Sequence, residues 1–387
     1  MKRILKLDKF ILAVSAILLA GGTLMILSAS NVYVLFRFNN QRFYSFFIKQ
    51  SVYIAAGVIV ALMAMVLNKK LLNHVIKFLL FLGFALLLWV LIAGPEIKGA
   101  RSWTPQIKGV PFNTSFQPSE FVKIFYIAWA SLFYHENKDK LKDPRVARIP
   151  LLIGGAYTLL IILQKDLGTA FIMMFIVTFM FVCNPVYFKY KIFMKLSLLL
   201  ITVLLVISTH LPFIDNIKHA KARRFDTHNP CSEEKFKTYG NNLCNSYIAI
   251  NNGGLKGRGL NKSTQKYLYL PEGHTDYIFA IIVEELGFLG GLGLFVLYSF
   301  LLLRLIFIAR NTSSSFGKNI CYGAFIYFTV HIILNVGGIT GFLPMTGVPL
   351  PFMSYGGTFI LSIVALLGLI HRVTIDTKIK KLPPRKR

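Results

Sequence analysis

Residues 149–183 read IPLLIGGAYTLLIILQKDLGTAFIMMFIVTFMFVC. Two apolar runs meet at Gln164-Lys165-Asp166, and outside that triplet the stretch contains no Asp, Glu, Lys or Arg. One helix of that length would overshoot the hydrocarbon core of a bilayer, which is about 30 Å thick and is crossed by about 20 apolar residues. The triplet is therefore expected to be a tight turn at one membrane face, joining two antiparallel helices. Outward from this pair, similar runs occur at 10–30, 46–67, 74–94, 119–135, 191–209, 277–303, 318–339 and 355–372. With 149–163 and 167–183 they predict an all-α polytopic integral membrane protein of ten transmembrane helices. Residues 1–374 form its single domain, with one large extracytoplasmic loop, 210–276, between spans 7 and 8. Residues 375–387 are a basic cytoplasmic tail.

Composition agrees. Of 387 residues, 55 % are hydrophobic and 15 % charged, against about 25 % charged in soluble domains. Mean hydropathy is +0.59. A soluble α/β enzyme, a coiled coil and a disordered chain are all excluded. The net charge of +27 comes from basic residues beside the apolar runs, where they act as topology signals and contacts to lipid phosphates. There is no zinc finger or Arg-rich helix, so no nucleic-acid partner is expected. The run 10–30 follows Met1-Lys2-Arg3 like a signal peptide but lacks a clean cleavage site, and it reads as the first span.

Basic residues favour alternate gaps: Lys2, Arg3, Lys6 and Lys9; Lys69, Lys70 and Lys77; 138–148; 189–195; Arg304, Arg310 and Lys318; and 372–387. The positive-inside rule then puts both termini in the cytoplasm. The polar middle of the long loop, 223–266, has no hydrophobic core of its own and should fold back on the outer face of the bundle. Cys231 and Cys244 lie in it, either as a disulfide or as two unlinked thiols.

Charges near spans are expensive and usually functional. On the outer side these are Arg101, Glu120, Lys123, Asp166, Glu272, Asp276, Glu284 and Glu285, while the span centres are nearly empty of charge. That pattern suits an enzyme with an external active site better than a proton-coupled carrier. In GPEIKGARSWTPQIKGVPFNTSFQPSEFVK (94–123), Ser119 is a candidate N-cap and Glu120 and Lys123 share one helical face. Arg101 and Lys123 either hold an anionic headgroup, oriented by Glu120, or form an interfacial ion pair. Asp166 reads as an N-cap. Glycines 253, 254, 257 and 259, beside Lys256, Arg258, Lys262 and Lys266, form a candidate anion cradle. Asp276 is a general base or another N-cap. The Pro- and Gly-rich part of 331–358 is irregular backbone at membrane depth and so should line a cavity. His331 and Asn335, four apart, read as a helix–helix hydrogen-bonding pair rather than catalytic groups.

Seven stretches, in this order, resemble the shape, elongation, division and sporulation family of FtsW/RodA-like proteins. They are Gly99–Trp103 (GARSW), Phe116–Lys123 (FQPSEFVK), Gln164–Thr169 (QKDLGT), Gly253–Gly259 (GGLKGRG), Leu270–Phe279 (LPEGHTDYIF), Glu284–Gly287 (EELG) and Pro349–Gly357 (PLPFMSYGG). GPEIKGARSW and Thr346-Gly347 are closer to the division-type members. Lys165 stands where the family usually has Pro, and Cys244-Asn245 where Tyr-Gln is usual.

The resemblance implies a peptidoglycan glycosyltransferase that polymerises lipid II into β-1,4-linked glycan strands and releases undecaprenyl diphosphate. It assigns Asp276 as the catalytic base and Arg101, Lys123 and Arg258 to the diphosphate. Glu120, Asp166, Glu285, His331 and Ser354 are supporting residues. A divalent cation such as magnesium is a candidate cofactor. The expected partners are lipid II, a class B penicillin-binding protein transpeptidase, divisome or elongation machinery, and membrane lipids. The expected setting is the bacterial cytoplasmic membrane, with the active site on the extracytoplasmic face. An elongation-type enzyme of the same chemistry and a lipid II flippase are the alternatives.

Overall fold

The computed structural model describes residues 6–37, 43–97, 99–106, 115–186, 192, 229–237, 240–267 and 269–380. Among them regular structure is helical: α1 (Lys9–Arg37), α2 (Ser45–Val66), α3 (Lys69–Ala93), α4 (Pro118–Glu136), α5 (Pro144–Leu163), α6 (Leu167–Cys183), the single turn α7 (Glu233–Phe236), α8 (Asn241–Gly253), α9 (Ile278–Asn311), α10 (Ser315–Ile339) and α11 (Gly357–Lys380). Strand-like pairing among these residues is limited to one isolated bridge, Ile97 to Ala100. Seven helices, α1, α2, α3, α5, α9, α10 and α11, are long and apolar enough to cross a membrane. Helix α6 is apolar but has 17 residues, and α4 carries Glu120 and Lys123 near its start. Every expected span falls on one of these helices except 191–209, which apart from Ile192 lies outside the described residues.

The turn between α5 and α6 forms as expected. Lys165 takes a left-handed φ of 63°, which a proline ring forbids. Asp166 accepts from the Thr169 amide at 3.2 Å and so caps α6. Helix α4 is the inner helix, packed by α3, α6, α10 and α11, with Tyr126, Ile127 and Ala130 fully buried. Helices α2 and α11 approach closely where Gly57 meets Val364 and Gly368 meets Ala61, as small residues allow in membrane bundles. The outward faces of α2 and α3 present Ile59, Phe81 and Ile92, which suits lipid. At one end of the bundle Asp8 caps α1 through the Ile11 amide at 3.0 Å and pairs with Arg304 Nη2 at 2.7 Å. At the same end Arg372 donates to the Ala64 and Leu67 carbonyls that close α2.

Helix α9 is broken at Gly287 (φ 74°, ψ −178°). A break strands carbonyls on one side and amides on the other, and lipid supplies no water to pair them. The segment 254–259 lies in the gap. Arg258 and Gly259 amides donate to the Glu284 and Glu285 carbonyls at 2.9 Å each, and the Phe288 and Leu289 amides donate to the Gly254 and Leu255 carbonyls at 2.8 and 3.2 Å. The close approach requires glycine. A β-carbon at Gly257 would lie 2.2 Å from the Glu285 carbonyl oxygen, and one at Gly253 would lie 2.0 Å from that of Val283. The glycines expected to cradle an anion thus receive a helix backbone instead.

Helix α8 lies across the end of the bundle opposite Asp8 and Arg372, where α10 finishes. Ser246 Oγ donates to the Ile339 carbonyl at 3.1 Å, Tyr247 to Thr340 at 3.5 Å, and Asn245 Nδ2 to Tyr269 at 2.7 Å. A disulfide joins Cys231 to Cys244, which resolves the two alternatives left by the sequence. In its described part the long loop packs on the bundle, as its lack of a core required.

Gly257→Ala should unfold at a lower temperature than wild type in detergent. It combines a backbone clash with about 1–3 kcal/mol of left-handed strain. Gly254→Ala shares the positive φ but has open space around it, so its loss should be the smaller of the two. Fluorescence-detected size exclusion after heating gives the comparison.

Candidate active site where two loops meet

Two non-helical segments meet beside the start of α9. The first, 270–277, is a run of turns: the Gly273 amide donates to the Leu270 carbonyl and the Tyr277 amide to that of Glu272. It ends in Asp276. The N-cap position of α9 belongs to Tyr277, and no side chain caps that helix. The N-cap alternative for Asp276 therefore falls away. The second segment, 341–356, follows α10 and is non-helical throughout. It turns at Gly347 (φ 69°), where a β-carbon would come 3.2 Å from Asp276 Oδ2. Gly347 so gives the carboxylate a side bare of side chain.

Hydrogen bonds hold the segments together. Ser354 Oγ donates to the Thr275 carbonyl at 2.7 Å and accepts from the Leu350 amide at 2.8 Å. The Tyr355 amide donates to the His274 carbonyl at 2.9 Å. The His274 ring lies 4.9 Å from Tyr33 and 5.1 Å from Phe46, and Tyr355 stacks on Phe46 at 4.6 Å. This aromatic cluster ties the ends of α1 and α2 to the residue two before Asp276. Sequence reading did not find it, because its members are far apart in the chain.

Behind the loops, α10 and α4 supply a buried polar column. His331 joins α10 to α4, the expected helix–helix hydrogen bond, and also meets the 341–356 segment, while Asn335 meets the non-helical segments rather than another helix. Asn335 Nδ2 donates to the Val348 and Asp276 carbonyls at 2.8 Å each, and His331 Nδ1 lies 3.3 Å from the Pro349 carbonyl. His331 Nε2 lies 3.1 Å from Lys123 Nζ. An ammonium can only donate, so Nε2 accepts, and the ring proton sits on Nδ1 facing Pro349. Lys123 pairs with Glu120 at 2.8 Å and sits 5.5 Å over the Tyr327 ring. Lys123 is 0 % and Glu120 3 % exposed. The expected direct hold of Lys123 on a headgroup is corrected here: its ammonium has no open surface and is spent on Glu120 and His331. Ser119, the expected cap of α4, is buried behind Pro118, and Gln117 takes the N-cap position.

The remaining expected residues lie around this column. Asp166, besides capping α6, accepts from Gln117 Nε2 at 2.7 Å, a link between the α4 and α6 starts. The Arg101 amide donates to the Gln164 carbonyl at 2.9 Å, and its guanidinium is exposed, 3.8 Å from Glu96. Arg258 is exposed too and donates to Thr264 Oγ1 at 3.2 Å. Glu284 and Glu285, 0 % and 1 % exposed, fasten the loop below the α9 break. Glu284 accepts from Thr264 Oγ1 at 2.8 Å, the Thr264 amide at 3.1 Å, Asn252 Nδ2 at 3.3 Å and the Ser263 hydroxyl. Glu285 accepts from Ser28 Oγ at 2.7 Å and the Asn261 amide at 3.0 Å, and pairs with Lys266 at 3.4 Å. Burial pushes the Lys266 ammonium below the usual lysine range, against the pull of Glu285. Lys266 thus leaves the expected anion cradle. Its signal in the sequence was the pair of carboxylates in an apolar helix, which needs a buried cation.

Among the described residues no three His, Cys, Asp or Glu side chains form a group that could hold a metal ion. Glu120 and Asp166, expected near a divalent cation, are engaged by Lys123, Gln117 and the Thr169 amide. This donor set does not fit a resident metal.

A multi-pass helical membrane protein with a carboxylate at one end of its bundle, backed by a buried Glu–Lys–His column, is the class that fold and site define. The chain belongs to the FtsW/RodA/SpoVE family of cell cycle proteins, whose model matches residues 8–379. It is 31 % identical over 390 residues to the probable peptidoglycan glycosyltransferase FtsW of Bacillus subtilis (strain 168), covering 98 % of this chain and 93 % of that one. It is 33 % identical over 370 residues to the stage V sporulation protein E of the same organism, covering 95 % and 96 %. A chain from a solved peptidoglycan synthase complex shares the fold with a TM-score of 0.72 at 23 % identity, covering 96 % of this chain and 98 % of that one.

Removing one partner of a buried ion pair costs about 3–5 kcal/mol, because the other charge is left unpaired. Lys123→Met should therefore destabilise the protein more than the double variant Lys123→Met/Glu120→Gln, which removes both charges. Thermal unfolding midpoints of the four-member cycle measure the difference.

Proposed function

We propose that the chain polymerises lipid II into glycan strands, with Asp276 as general base. The observation that carries this reading is the Asp276 carboxylate. It stands at the start of α9 against a glycine turn, and it does not cap its own helix. The names of the relatives point to the same chemistry. The 4-hydroxyl oxygen of the acceptor N-acetylglucosamine attacks C1 of the donor N-acetylmuramic acid, and its proton passes to Asp276. The bond from C1 to the diphosphate oxygen breaks, undecaprenyl diphosphate leaves, and inversion gives the β-1,4 link. Diphosphate is a good leaving group, so no nucleotide is needed. The exposed guanidiniums of Arg101 and Arg258 suit the charge that develops on it. Lys123, Glu120 and His331 act from behind, setting the position of the 349 segment.

The setting belongs to the same proposal. Ten spans, both termini in the cytoplasm and the 210–276 loop outside follow from the apolar runs and the basic gaps. The disulfide supports that side for the loop, since disulfides persist in oxidising compartments. A division role, with a class B penicillin-binding protein to crosslink the product and divisome proteins around both, fits the FtsW-named relatives and the solved synthase complex.

Purified protein, with and without its cognate transpeptidase, should convert labelled lipid II into strands. Asp276→Ala and Asp276→Asn should cut the rate by roughly 100-fold or more, the scale of a lost general base, while unfolding temperature and partner binding persist. Equal polymerisation by wild type and variants overturns the role of Asp276. Transfer of lipid II across vesicles without any polymer would move the reading to a flippase.

A further inference from the structure

We infer that Asn335 is a positioning residue that sets the distance between the Asp276 carboxylate and the Gly347 turn; this rests on the reading of Asp276 as the base. A single amide nitrogen on α10 donates to two carbonyls from two different loops, Asp276 and Val348, at 2.8 Å each. One carbonyl belongs to the residue whose carboxylate acts. The other belongs to the neighbour of Gly347, whose α-carbon faces that carboxylate. Asn335 is therefore a bridge between the two segments that meet at Asp276. It is 1 % exposed, so solvent does not compete for its protons.

Chemistry fixes which way the amide points. Carbonyl oxygens on both sides require a donor with two protons, and the reversed amide would set Oδ1 against two acceptors. Oδ1 is then turned away; it is buried and has no hydrogen-bond partner among the described residues. A residue serving packing alone would be an aliphatic one, with no buried acceptor left over. His331, one turn earlier on the same face, holds the next carbonyl, Pro349, at 3.3 Å. Two successive carbonyls of the segment are so registered to one helix. The Asn335 bond to Asp276 extends that register to the base, which Ser354 reaches only through its neighbour, Thr275.

The test is lipid II polymerisation by the full chain with its transpeptidase, comparing wild type, Asn335→Leu and Asn335→Asp. Leu keeps the volume and removes both donors, while Asp presents an oxygen to the two carbonyls. A misplacement of about 1 Å costs up to roughly 100-fold in rate. Both variants should therefore lose about 10- to 100-fold in kcat, with KM for lipid II within about threefold of wild type and partner binding intact. A wild-type kcat in either folded variant, or a loss carried by KM, overturns the inference. If neither variant folds, Gly347→Ala alters the same distance from the other side and should lower kcat without raising KM; unchanged kcat there also overturns it. Asp276→Asn is run in parallel. If it polymerises like wild type, the base assignment itself fails; if it is inactive while Asn335→Leu matches wild type, only the bridge fails.

Discussion

A backbone inside a bilayer has no water to pair with, and this chain nevertheless interrupts a spanning helix at Gly287. Much of the end of the bundle that holds Asp276 follows from how the interruption is closed. Four amide–carbonyl bonds from 254–259 replace the missing helical ones. The space for them comes from glycines whose hydrogens face carbonyl oxygens. The carboxylates of Glu284 and Glu285 then hold the following residues, 261–266, so that one helix break organises the whole approach to Asp276. With the loop removed, two carboxylates and four backbone groups would be left without partners in a low-dielectric medium.

The candidate site uses the same constraint differently. Both segments at Asp276 are non-helical, so neither positions itself. Their carbonyls are claimed by side chains of α10 and by Ser354, and α10 is steadied by the buried pairing of His331, Lys123 and Glu120 with α4. Charge inside the bundle therefore serves geometry, whereas Arg101 and Arg258 keep their guanidiniums exposed. The contrast explains why Lys and Arg of similar appearance in the sequence do different work here.

The spans were legible because apolar length and charged gaps report directly on a bilayer. The turn at Gln164–Asp166 was legible for the same reason. The carboxylates were legible as important, since each is costly where it stands. Their partners were not. Lys266, Ser28 and Asn261 meet Glu285 across large separations in the chain, and no local pattern encodes that meeting. The glycine run 253–259 resembles an anion site in sequence because loops that receive a phosphate and loops that receive a carbonyl both need small residues and positive φ. Asn335 was noticed with His331 through their spacing of four. The spacing showed a shared face but not what the face would meet.

The clasp at Gly287 is also local in the chain. The residues that fill the break lie just upstream of α9 in the chain, so they emerge from the ribosome first. They can engage the helix as it enters the membrane, without waiting for α10 or α11. The bond from Ser28 to Glu285, by contrast, spans 257 positions. Every backbone partner that closes the interruption is thus already present in the chain before α10 and α11 are made.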